Sequence, residues 1–358
     1  MIPAEYYKYI YLLIIFFLSL GVFSRYSTYH MSRIGNIVVE NQMTSILLCG
    51  FMTLFIGLRP ASAVFVDMVG YASHWHLWAM SDYSFQWGAE NLLFDNLRIY
   101  MSTSKISYEW FFILISSIYF GCMHLACRRL FPKDTLFAFL VFLAAFSTFS
   151  YATNGIKAGS AASIFMLALA YHDKPIVTVL LSLVSWGFHH SMVMVVGSYL
   201  IVYFYHKPKW FFVLWLFSVL IAALHIGVFQ GLFKSMADES GAEYLQMQSH
   251  GRGFRIDFIL YSAMPVLVGY YAIYKKKIQS ESYNIILCMY LMTNAIWMLC
   301  MYAEFTNRIA YLSWFQYPVV LIYPFLKEQW GVNQYPLVKK IAYGHLVFTL
   351  FMELVFYA

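Results

Sequence analysis

Ile56-Gly57-Leu58-Arg59-Pro60-Ala61-Ser62-Ala63-Val64-Phe65-Val66-Asp67-Met68-Val69-Gly70-Tyr71 closes an apolar run that covers 43–58 and opens a polar, aromatic loop. The run is close to the roughly 17–25 apolar residues a helix needs to cross a bilayer. Glycine and proline beside Arg59 let the backbone turn out of that helix. An arginine, an aspartate and a tyrosine then occur together in a chain that is only 11% charged. Ionisable groups are expensive near lipid, so those kept at a membrane boundary are functional candidates. Asp67 and Tyr71 are four residues apart and share a face if the segment is helical. A structural Arg59–Asp67 ion pair is the alternative reading.

Working outward, the same pattern fills the chain. Of 358 residues, 61% are hydrophobic and 20% aromatic, whereas soluble domains are about 25% charged. The expected fold is an all-α polytopic membrane protein, one integral-membrane domain over 1–358. Candidate spans lie at 9–24, 43–58, 109–126, 135–152, 157–172, 175–188, 191–206, 210–227, 257–274, 284–302, 309–326 and 340–357, about twelve in number. The first run lacks a small-residue cleavage site and reads as a retained helix. A net charge of +6 does not point to nucleic acid. The five cysteines lie in or beside apolar runs with no metal-type pairing, and read as packing residues.

Lysine and arginine set the orientation. Fourteen of the 23 fall in one set of short loops, among them Arg128, Arg129, Lys133 and Lys275–Lys277; the other nine are thinly spread. The dense set reads as cytoplasmic. Both termini then face outward, with long outer loops at about 59–108 and 228–256. Long loops on a helical scaffold are where binding and catalysis concentrate. The first is rich in tryptophan, tyrosine and histidine, which also suit a helix lying in the membrane interface.

Four further polar clusters fall on that outer side. Asn154 and Lys157 open a span rich in small residues, where a helix N-terminus favours phosphate; Gly155, Gly159 and Ser163 read equally as a packing face. His189 and His190 stand between two apolar runs and can move protons near neutral pH, though adjacent residues point to different helix faces. Arg252 and Arg255, with glycines between them, form a cationic loop suited to phosphate or to lipid headgroups. Glu304 and Arg308 mark the start of another span, where the arginine either binds anion or snorkels. Together the clusters suggest an outward cationic cavity for an anionic substrate, lined by aromatic rings that suit sugar faces.

These residues resemble the EpsG family of bacterial exopolysaccharide proteins, Wzy-like polymerases. The resemblance rests on Gly57-Leu58-Arg59 followed by Asp67 and Tyr71, on Asn154 to Lys157, on Phe188 with His189 or His190 and Ser191, and on Arg308. It spans roughly 1–330. Val66 stands where the family usually has glycine near the aspartate, and Lys157 where it usually has arginine. The resemblance implies a membrane glycosyltransferase of O-antigen, capsule or exopolysaccharide synthesis. It would join undecaprenyl-pyrophosphate-linked repeat units, as donor and acceptor, outside the bacterial inner membrane. A chain-length regulator and a flippase would be its partners, with no cofactor and no metal. Arg59, Lys157, Arg252, Arg255 and Arg308 would hold the pyrophosphate, with Tyr71, Asn154 and Glu304 toward the glycan. Asp67, His189 or His190 would be the base. A ligase or a flippase of the same lipid is the rival reading.

Overall fold

The computed structural model describes residues 2–29, 34–226, 253–303, 306–328 and 334–357; those residues are all-helical, with no strand among them. Among the described residues, five stretches are long and apolar enough to cross a membrane: Ala4–Tyr26, Tyr108–Leu130, Ile256–Lys275, Glu281–Leu299 and Thr306–Lys327. Gln42–Gly57, Ile156–Ala170, Pro175–Phe188, Met192–Phe204 and Pro208–Ala223 are shorter apolar helices. Twelve spans remains a reading of the sequence. The chain divides into two compact units, Met1–Phe188 with Phe325–Ala358, and His189–Pro324.

The first unit contains α1 (Tyr7–Tyr29), α2 (Ile34–Gly57), α3 (Val66–Trp78), α4 (Leu92–Thr103), α5 (Tyr108–Leu130), α6 (Thr135–Leu143), α7 (Thr148–Thr153), α8 (Ile156–Ala170) and α9 (Pro175–Phe188), and later α16 (Gln334–Phe351). Helix α5 is central and packs on α2 and α8, while α1, α6 and α16 form a second group. Membrane logic is plainest on α9. It buries Thr178, Ser182 and Ser185, spaced along one face, and exposes Ile176, Val179, Leu180, Leu183 and Trp186. Lipid is as apolar as leucine, so helices associate through small and hydroxyl side chains instead. Ser185 Oγ accordingly donates to the Ala161 carbonyl of α8 at 2.7 Å.

One expected span is corrected. The run 135–152 is not a single helix but α6 and α7, separated at Ala144–Ser147. A helix end leaves carbonyls open, and in an apolar setting each needs a partner. Here four successive ones have one. The Val141 carbonyl meets His345 Nε2 at 3.1 Å, Phe142 takes Thr148 Oγ1 at 2.7 Å, Leu143 takes Tyr11 Oη at 2.6 Å, and Ala144 takes Thr349 Oγ1 at 2.7 Å. A carbonyl only accepts, so His345 carries its proton on Nε2.

The second unit contains α10 (Met192–Phe204), α11 (Pro208–Ala223), α12 (Ile256–Tyr270), α13 (Glu281–Leu299), α14 (Thr306–Trp314) and most of α15 (Tyr317–Lys327). Helix α13 is its axis and packs on α10, α11, α12 and α14. Ser280 caps its start by accepting from the Tyr283 amide at 3.4 Å. Midway along α13, Asn294 is wholly buried. It accepts from Trp215 Nε1 at 2.7 Å and donates to Ser262 Oγ at 3.1 Å and Ser313 Oγ at 2.9 Å. Trp314 Nε1 also donates to Ser262 Oγ, at 2.8 Å. One amide thus links four helices without a charge.

Candidate functional site

Helix α2 ends where its sequence turns. Gly57 lies against α5: a Cβ there would sit 2.8 Å from the Ile113 Cα, so only glycine permits this approach. Pro60 has no amide to continue the helix. Between them Arg59 folds back and is 2% exposed. Its Nη1 donates to the Ile56 carbonyl at 2.7 Å and its Nη2 to the Thr153 carbonyl at 3.0 Å. The guanidinium faces the rings of Phe65 and Phe112, 5.6 and 5.3 Å from their centroids, and its Nε has no hydrogen-bond partner. Burial draws its pKa down to about 9, which leaves it charged at neutral pH.

The Thr153 carbonyl ends α7, so Arg59 joins the end of α2 to the start of α8. Asn154 follows, half-buried, with a buried Oδ1 that has no hydrogen-bond partner. Lys157 is half-buried in the first turn of α8. First-turn amides of a helix have no partner within it, so a cation and backbone donors stand together here. The small-residue face below is a packing face. A Cβ on Gly159 would lie 2.7 Å from the Tyr151 carbonyl, and Ser163 Oγ lies 3.4 Å from the Ile118 carbonyl of α5.

Asp67 is half-buried in the first turn of α3, a helix as the sequence requires for it to share a face with Tyr71. The Tyr71 ring packs among Phe94, Phe111 and Phe112 at centroid distances of 6.0, 6.3 and 6.4 Å. Phe112 therefore touches both Tyr71 and the Arg59 guanidinium. The first two predicted clusters meet in this unit: Arg59 bonds directly to the residue before Asn154.

Clusters three to five belong to the second unit. His189 and His190 are half-buried just before α10, and their carbonyls accept from the Met192 and Val193 amides at 3.0 Å each. Arg255 is not a loose loop cation. Its Nε and Nη2 donate to the two Asp257 oxygens at 2.9 and 2.6 Å, a bidentate pair, and its Cζ lies 3.5 Å from the Phe258 ring centroid. Arg308 is exposed in the first turn of α14. Arg252 and Glu304 lie outside the described residues, as does most of the predicted outer loop 228–256. Sequence reasoning missed the Asn294 network. Its signal was a carboxamide in the middle of an apolar run, without the charge that marks the other clusters.

The model of the EpsG family matches residues 43–357, nearly the whole chain. No curated protein and no solved structure matches. A match of this extent suggests a polymerase-like role in polysaccharide biosynthesis.

Proposed function

The chain belongs to the EpsG family, and from that premise we propose that it is an integral-membrane glycosyltransferase that polymerises undecaprenyl-pyrophosphate-linked repeat units on the outer face of the bacterial inner membrane. The observation that carries this reading is the Arg59–Thr153 hydrogen bond, which ties the Arg59–Asp67–Tyr71 segment to Asn154 and Lys157 across 94 residues of sequence. A cation, helix amides and a carboxylate-bearing helix are thereby held at one place.

In this proposal the hydroxyl of one lipid-linked unit attacks the anomeric carbon of another. A new glycosidic bond forms, the bond from that carbon to the pyrophosphate oxygen breaks, and the base takes the hydroxyl proton. Undecaprenyl pyrophosphate is a good leaving group, so the protein mainly positions the partners and stabilises departing charge. Lys157 supplies a point charge, and Arg308 and Arg252 are further candidate cations for the pyrophosphate. Arg255, paired with Asp257, contributes less. Arg59 is buried and uses both Nη groups on carbonyls, so its part is to hold the junction. Tyr71, Asn154 and Glu304 contact the glycan. Asp67 is the base, with His189 and His190 as its rivals. Neither a nucleotide sugar nor a metal enters the proposal. A chain-length regulator and a flippase act with it.

The test is the glycan ladder of a strain lacking this gene and then complemented with it. Loss of long polymer with accumulation of single repeats, reversed on complementation, is the expected result. An unchanged ladder overturns the reading, and accumulation of finished polymer points to a ligase. With purified lipid-linked repeats, Asp67→Asn is expected to lower turnover by about 10²–10⁴-fold, the usual worth of a general base. A normal rate moves the role to the histidines.

A further inference from the structure

Between α3 and α4 the chain presents Tyr83, Phe85 and Trp87, which are 46%, 39% and 80% exposed. Such rings are ordinarily explained by the membrane interface. Two observations argue otherwise. First, no lysine or arginine occurs between Arg59 and Arg98, whereas Asp82 and Glu90 stand exposed in the same loop. Segments that lie on membranes carry cations for anionic headgroups; this one carries Ser84 and Gln86 between its rings and carboxylates on either side.

Second, the loop is built to a fixed shape. Asn96 of α4, 4% exposed, accepts from the Gln86 amide at 2.7 Å and donates to the Gln86 carbonyl at 3.1 Å. It thus clamps both backbone groups of the residue between Phe85 and Trp87. Asn96 is itself fixed by donating to the Leu92 carbonyl at 2.7 Å. The Ala89 amide closes a turn onto the Gln86 carbonyl at 3.2 Å, with Trp87 and Gly88 at its apex. The Phe85 and Trp87 rings lie 4.6 Å apart at 59°, and Tyr83 rests edge-on against Tyr100 at 5.5 Å. Rigid aromatic faces bind at low entropic cost. Interleaved hydroxyl, amide and carboxylate groups supply acceptors and donors for hydroxyls.

We propose that the Tyr83–Trp87 ledge is a carbohydrate-binding subsite, on which an uncharged sugar ring of the growing glycan stacks against Trp87 while Gln86 and Asp82 bond its hydroxyls. Naming that glycan as the occupant rests on the polymerase reading above. Asn96 is a positioning residue that never touches the sugar.

The test uses the full chain in phosphatidylcholine nanodiscs, titrated with the oligosaccharide freed by mild acid from the lipid-linked repeats of the same cells. Wild type is expected to bind it. Trp87→Ala should weaken binding roughly tenfold or more, as loss of a central aromatic anchor does, while Trp87→Tyr retains most of it. Asn96→Ala should also weaken binding, and its loss should be the smaller for Trp87→Ala protein than for wild type. Equal affinity of wild type and Trp87→Ala, or no binding by wild type, overturns the proposal. So does quenching of the Trp87 fluorescence (wild type minus Trp87→Tyr) by brominated lipid, which would place the ring in the bilayer. An unchanged glycan ladder on gene deletion would instead sink the polymerase reading while leaving the binding result to stand.

Discussion

The first unit interrupts an apolar run at Ala144–Ser147, and the second interrupts one at Phe315–Gln316. In the first, short turns cross the break, the Ala145 amide reaching the Phe142 carbonyl and the Thr148 amide the Ala145 carbonyl at 3.0 Å each. Four carbonyls at the end of α6 draw partners from α1, α7 and α16, and the next end, at Thr153, draws the Arg59 guanidinium. The second is crossed in the same way, the Gln316 amide reaching the Ser313 carbonyl at 3.0 Å and the Val320 amide the Gln316 carbonyl at 3.1 Å. The polar contacts there run between side chains, Gln316 Nε2 to Thr293 Oγ1 at 3.2 Å and the bonds around Asn294. A true helix end exposes several carbonyls to an apolar setting, each costing several kcal/mol if left alone. Neutral side chains meet them at the α6 end, whereas the α7 end at Thr153 draws a cation. The cation is found at the end of α7, and that is also where the candidate site lies.

Removing the cation breaks the comparison most sharply. Arg59→Ala is expected to cost about 3 kcal/mol, since it deletes two charge-assisted bonds and leaves the Thr153 carbonyl open, and to abolish polymer. Denaturant titration of the detergent-solubilised protein and the glycan ladder measure the two effects. Arg59→Lys should recover only part, because one ammonium does not reproduce the fork that meets both carbonyls. Unaltered stability in the alanine variant would mean that the junction does not depend on the buried guanidinium. Next comes Asn294→Leu, at about 2 kcal/mol, for stranding the Trp215 N–H in the second unit; a loss as large as that of Arg59→Ala would erase the distinction between the charged and the neutral junction. Thr349→Val removes one of four bonds to the α6 end and should cost about 1 kcal/mol, read by the same titration. Smallest in stability is Arg308→Ala. This exposed arginine should shift stability by less than about 0.5 kcal/mol yet shorten the polymer. Normal chain length in that variant would remove Arg308 from the pyrophosphate site.

Some of this was legible early. The apolar runs announced helices, and the Gly57-Leu58-Arg59, Asp67 and Tyr71 pattern pointed to the family that the match over 43–357 then showed. Asp67 and Tyr71 sit on one helix, the condition under which their spacing puts them on one face. The break inside 135–152 was not legible, because Ala144-Ala145-Phe146-Ser147 holds neither proline nor glycine and is as apolar as a span. Nor did the sequence separate the possible partners of Arg59, carboxylate or phosphate, from the backbone carbonyls it in fact meets.

Composition and periodicity by themselves determined that this chain is helical and built for lipid, because transfer of apolar side chains and satisfaction of backbone groups within helices are local matters that each segment settles alone. Where a helix could stop was decided only by tertiary structure. The partners of the α6 end lie 132, 204 and 205 residues away in Tyr11, His345 and Thr349, and that of Thr153 lies 94 residues away in Arg59. An open carbonyl is tolerable in an apolar setting only once a distant side chain has arrived to meet it, so the end of α6 and the junction beside Lys157 exist only in the folded chain.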